Sequence, residues 1–181
     1  PCRPGGGGGG VALARPHIPL PAHAYLPGMT ARHPEGCFDG LKGGLEPGMN
    51  WGRIAASPAW ANSIALLRHG YYWEAHEVLE AVWMHTAPDT AERALVQGVI
   101  QIANARLKLA MGRAKAAARI AGMAADHLKA AEALDRGGAT NPARRLAMRC
   151  LARLVGGFGG NEYGNILHKS SMQECDSEIS H

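Results

Sequence analysis

The chain has 181 residues, a formal net charge of +4, and 46% hydrophobic residues of which few are aromatic. That length suits one domain with its own core, and an apolar content dominated by alanine and leucine favours helices. The modest charge, offset by 15 acidic residues, demands no nucleic-acid partner, and no apolar run approaches the roughly 20 residues that span a bilayer, so a soluble cytoplasmic protein is expected.

Residues 1–22 carry a six-glycine run and read as a disordered, low-complexity lead. The run is no phosphate cradle, because no strand and helix frame it. Residues 23–56 are rich in proline and poor in periodicity, which predicts an irregular arm with no stable helix before Ser57. Tyr25, Leu26, Met29 and Phe38 are apolar residues that a free linker would not need, so the stretch from Tyr25 to Phe38 is expected to pack over the helices.

Ser57-Pro58 supplies an N-cap with proline at the first helical position, and the helix it opens stops at Gly70. A second helix covers about 71–86 and ends before Pro88, since the residue preceding proline disfavours helical geometry. Asp89 and Glu92 resemble a capping box for a third helix from Thr90 to Met111, broken by Gly112. A fourth covers about 113–135. Asn141-Pro142 caps a fifth, basic helix that ends near Gly156, and residues 157–181 read as a disordered tail. The expected fold is all-α: an antiparallel bundle of about five helices, formed by residues 23–156 together with the arm, with the second and third helices at its centre.

The second helix holds the candidate site. In "YYWEAHEVLEAVW", residues 71–83, steps of 100° place His76, Glu80 and Trp83 within roughly 60° of one another, flanked by Tyr72, Trp73 and Leu79. A histidine and a glutamate on this aromatic face are expected to point inward. A carboxylate buried there needs a proton, a cation or a metal as partner. Glu74 and Glu77 turn toward the other side, where hydration is expected, and rank behind. On the third helix Gln97, Gln101, Asn104 and Lys108 share one stripe between apolar flanks. That stripe is either a solvent edge or a polar network facing the pair, with Gln101 within direct or one-water reach of His76.

Together "GYYWEAHEVLEAVW" and "ERALVQGVIQIANARLKLAMGRAKAAARI" resemble a bacterial and archaeal family called domain of unknown function 309. Its hallmark is a His-x-x-x-Glu-x-x-aromatic motif, matched by His76, Glu80 and Trp83, and one branch carries an arm like the stretch 23–49, so the resemblance covers about residues 23–134. It implies a small helical domain and a motif associated with metal binding, with no assigned reaction.

Histidine and glutamate four apart on a helix can reach one ion, and a zinc site with catalytic character needs at least one more protein ligand. By residue type His33 in the arm is the best third donor, with Glu77 or a side-chain amide behind it. The leading reading is therefore a polar pocket that binds a divalent metal such as zinc through His76, Glu80 and His33, or a small polar ligand through Gln97, Gln101 and Asn104. Metal-dependent hydrolysis is the reaction such a site would serve. The alternative is a structural or adaptor domain, in which the pair only holds the helices together and an outer groove takes a protein or a second copy of the chain. Arg145, Arg149 and Arg153 form a basic stripe on the fifth helix, better explained as a solvated face than as a nucleic-acid contact. Cys2, Cys37, Cys150 and Cys175 form no C-x-x-C pair, which favours reduced thiols.

Overall fold

A computed structural model describes residues 20–135. Among them are five helices and no strand: α1 (Trp51–Ala56), α2 (Pro58–Arg68), α3 (Tyr72–Met84), α4 (Ala91–Ala110) and α5 (Ala114–Asp135). The all-α bundle is therefore as expected, but the helices are not quite the same five. The expected basic helix with Arg145, Arg149 and Arg153 lies outside the described residues, as do residues 1–19 of the lead, the tail and three of the four cysteines. Cys37 is exposed and free. No helix among the described residues is long and apolar enough to cross a membrane.

The extra helix, α1, corrects the expectation that nothing helical precedes Ser57. Asn50 caps it by accepting from the Arg53 amide, and Trp51 and Ile54 bury one side of its short span. Six residues are too few for periodicity to reveal. A single 3-10 turn at Asp39–Leu41 is the arm's other regular element.

The helix boundaries follow from local chemistry. Ser57 caps α2 by accepting from the Trp60 amide, with Pro58 in the first turn, and Gly70 leaves the helix at φ +86°. For α4 the cap is Thr90, whose hydroxyl accepts from the Arg93 amide. Asp89 instead takes the turn at φ 55°, so the cap falls one residue later than expected and, with Arg93 three residues on, is a simple N-cap rather than the capping box expected from Asp89 and Glu92.

Consecutive helices pack on one another: α2 on α3, α3 on α4 and α4 on α5. The turn at Met111–Arg113 reverses the chain, so that Gly98 on α4 meets Leu128 on α5 at similar distances from Gly112, the mark of an antiparallel pair. Alanines 117, 121, 124 and 131 line the buried side of α5, and small residues let these two helices approach closely. One continuous core runs from Phe38 and Met49 in the arm through Leu79, Val82, Leu95 and Val99 to Leu128.

The arm and the end of the lead before it are tied down along their length. Tyr71 donates its hydroxyl to the Pro21 carbonyl, Asn62 donates its side-chain amide to the Leu41 carbonyl, and the Met49 amide donates to His85 at the end of α3. Phe38 is buried in the core and Tyr25 sets its ring edge-on to Trp73, as an arm with apolar anchors should. Met29 is the exception, an exposed side chain at the arm's tip.

Candidate functional site

The buried stripe of α3 is Glu74, Ala75, Val78, Leu79 and Val82. It is the aliphatic side of the helix, while Tyr72, Trp73 and Trp83 are only partly buried against the core. The inward face is thus rotated from the aromatic one expected. His76 keeps 28% of its side chain exposed and Glu80 56%. The two stand at the edge of the bundle, and Glu80 needs no buried partner because water reaches it.

His76 is nevertheless held firmly. Asn104 on α4 donates its amide to Gln101 Oε1 at 3.4 Å, which leaves Asn104 Oδ1 to accept from His76 Nδ1 at 2.9 Å. In the neutral ring this contact places the proton on Nδ1 and leaves the lone pair on Nε2, 3.8 Å from Glu80 Oε2. Among the described hydrogen bonds Gln101 is joined to His76 through Asn104 and not directly. Gln97 lies on the same stripe, half-buried, and no described hydrogen bond joins it to the other three.

Glu77 completes the group. His76, Glu77 and Glu80 each offer a ligand atom, and these atoms all lie within 4.8 Å of one another, on successive turns of one helix. Metal bonds of about 2 Å to nitrogen and oxygen ligands hold ligand atoms of one shell within about 4 Å of one another, so these side chains need only a small closure to meet one ion. The donor set is one imidazole nitrogen and two carboxylates, a set that suits zinc or manganese.

His33 does not join them. Its Nε2 donates to Glu74 Oε1 at 2.8 Å, and the Tyr25 amide donates to the same oxygen at 2.7 Å. Glu74 is fully buried, with His33 at 9% exposure beside it, so the carboxylate expected to be hydrated is the most enclosed one in the helix. Its other oxygen, Oε2, is buried without a hydrogen-bond partner among the described residues. His33 is further packed between His23, with ring centroids 4.6 Å apart, and Phe38, edge-on at 5.1 Å. Periodicity carried a signal here that the aromatic residues masked: Glu74 falls four residues before Val78 and eight before Val82, on the aliphatic stripe.

An open cleft of about 650 Å³ lies between the arm and α3, bordered by Arg32, His33 and Phe38 on one side and by Trp73 and Glu77 on the other. Glu77 thus belongs both to the His76 cluster and to the cleft wall. Cys37 stays out of this chemistry. Desolvation, and behind it the negative charges of Glu74 and Asp39, push its thiol up from the ordinary value, and it is not among the ligand atoms that converge at His76.

Residues 60–120 match the model of a family described as a domain of unknown function, DUF309. The match runs from Trp60 in α2 to Ile120 in α5, and it takes in His76, Glu77, Glu80, Gln101 and Asn104 while leaving out His33 and the arm. The chain resembles DUF309 over the helices that carry the cluster, a narrower span than the 23–134 drawn from sequence. No curated protein and no solved structure matches the chain.

Proposed function

We propose that this is a metal-binding helical domain, with His76, Glu77 and Glu80 as the protein ligands of a divalent cation at the mouth of the arm cleft. The observation that carries the reading is the convergence of these three ligand atoms within 4.8 Å. Two supports stand beside it. The Asn104 contact fixes the His76 tautomer that leaves Nε2 free to coordinate, as outer partners of metal-bound histidines do. The exposure of Glu80 gives an ion a path in from solvent.

A bound divalent ion would supply Lewis acidity to a small polar molecule in the adjoining cleft, and hydrolysis is the reaction class that such a centre serves. His33 has no part in this reading. Gln101 and Asn104 act as positioning residues behind His76 rather than as ligands.

A second reading rests on the same hydrogen bond. His76 to Asn104 ties α3 to α4, so the motif also serves as a helix clamp, and a purely structural role would leave the protein indifferent to metal. Elemental analysis and calorimetric titration of tag-free protein with zinc and manganese separate the two. Metal binding at one ion per chain is expected, weakened by at least about tenfold in Glu80→Gln, where one ligand is lost and the clamp is intact. Absence of binding, or uptake unchanged by Glu80→Gln together with Glu77→Gln, would leave the clamp as the better account.

A further inference from the structure

The cleft has a charge and ring pattern of its own. Three carboxylates line it, Glu35, Asp39 and Glu77. Asp39 is matched by Lys42 at 2.9 Å, whereas neither Glu35 nor Glu77 has a cationic partner among the described ion pairs. The remaining lining cation is Arg32, whose guanidinium sits over the Trp73 ring at 5.6 Å from its centroid. Arg32 stands on an exposed part of the arm, so its side chain can leave that ring at little cost.

From this geometry we propose that the cleft binds a small molecule bearing a guanidinium or primary ammonium group. The ligand's cation takes the place of Arg32 over Trp73 and pairs with Glu77, and Glu35 receives a second positive group where the molecule carries one. The aromatic face attracts a cation through its quadrupole, and partial exclusion of water under the arm strengthens both that attraction and the ion pair. An anionic ligand meets two unmatched carboxylates with Arg32 alone to balance them, and is disfavoured on the same grounds. Arg32 itself is the guide to ligand chemistry: the chain already places a guanidinium where the ligand's would lie.

The proposal goes beyond the metal reading and shares only Glu77 with it. A divalent ion held by Glu77 neutralises the carboxylate that the organic cation needs, so the two compete where both bind.

Calorimetric titration with agmatine, which carries a guanidinium and an ammonium group, tests this in metal-free buffer at physiological ionic strength, with butyrate as the anionic control. Binding of one agmatine per chain is expected, with none for butyrate. Trp73→Leu and Glu77→Gln should each weaken agmatine by about tenfold, the loss expected for one cation–π contact or one ion pair. Trp73→Phe should recover part of the binding, which distinguishes a lost aromatic face from a damaged fold. Glu80→Gln should leave agmatine binding unchanged while weakening metal binding, so the two sites fail separately. The proposal is overturned by butyrate binding as tightly as agmatine, by no agmatine binding at all, or by agmatine binding that Trp73→Leu leaves intact.

Discussion

Glu74 is the residue on which the site's architecture turns. A carboxylate with no exposure is costly to desolvate, and here one oxygen takes two donors from the arm, the Tyr25 amide and the His33 ring. Both donors come from a segment that could otherwise swing into solvent, so Glu74 functions as the anchor that closes the cleft. In Glu74→Ala the arm loses both acceptor contacts at once. A buried donor left without a partner costs about 1–3 kcal/mol, and the arm avoids that penalty by lifting into water. Limited proteolysis should therefore cut Glu74→Ala within residues 23–38 while α3 to α5 stay intact; a variant as resistant as the parent would mean that Phe38 and Trp73 hold the arm unaided. The spacing behind the candidate site was legible in sequence, because histidine and glutamate four apart share one helix face whatever surrounds them, and His76 and Glu80 do stand 3.8 Å apart. The burial of Glu74 was not legible, for one physical reason. Large aromatic residues drew the expected core face toward themselves, yet Trp73 and Trp83 lie at the rim, where rings cover the bundle's edge, and the smaller Ala75, Val78 and Val82 fill its centre. His33 was rightly drawn to α3 but to the wrong carboxylate, since an irregular arm has no period from which to read where its side chains land.

At the level of elements, capping chemistry located the helices well, and it did so because caps are local. Ser57-Pro58, Gly70 and Gly112 each act within one turn, whereas α1 depends on Trp51 and Ile54 reaching a core built from distant parts of the chain. The junction between arm and α2 shows how tightly local and distant needs are joined. The Ala59 amide donates to the Gly43 carbonyl, and Gly44 follows at φ +75° with its α-carbon against the ring of Pro58. A Cβ on Gly44 would lie 2.6 Å from Pro58 Cδ, and that ring is held in place as part of the α2 cap. Gly44→Ala thus combines a left-handed backbone, worth about 1–2 kcal/mol for a residue with a side chain, with a clash against a rigid neighbour. We expect a loss of more than about 2 kcal/mol in chemical denaturation. A loss near zero would show that arm and helix separate freely at this point, and that the Asn62 contact to Leu41 is the true attachment.

For the whole molecule, the order of packing matters more than any single contact. Each helix from α2 to α5 rests on its neighbour in sequence, so the core assembles from nearby parts of the chain, with α3 and α4 in the middle layer. Residues 23–38 of the arm are attached differently, through Glu74, Phe38 and ring contacts with Trp73, laid over the helices rather than threaded among them. Two levels of stability should follow. Hydrogen exchange of the amides of Val78, Val82, Val96 and Val99 should report global unfolding, because their helices are buried on both sides, whereas the Met29 and Thr30 amides, bonded only to Leu26 within the arm, should open at lower free energy. The levels can be moved one at a time. Leu95→Ala empties a fully buried site in α4 and should lower the protection of the helical amides by about 2–5 kcal/mol, leaving the arm's opening where it was. Glu74→Ala should do the reverse, lowering arm protection first. If the arm amides instead exchange together with those of α4 in the parent protein, the arm is part of the core, and the cleft beneath it is a fixed feature of the fold rather than one that opens to admit a ligand.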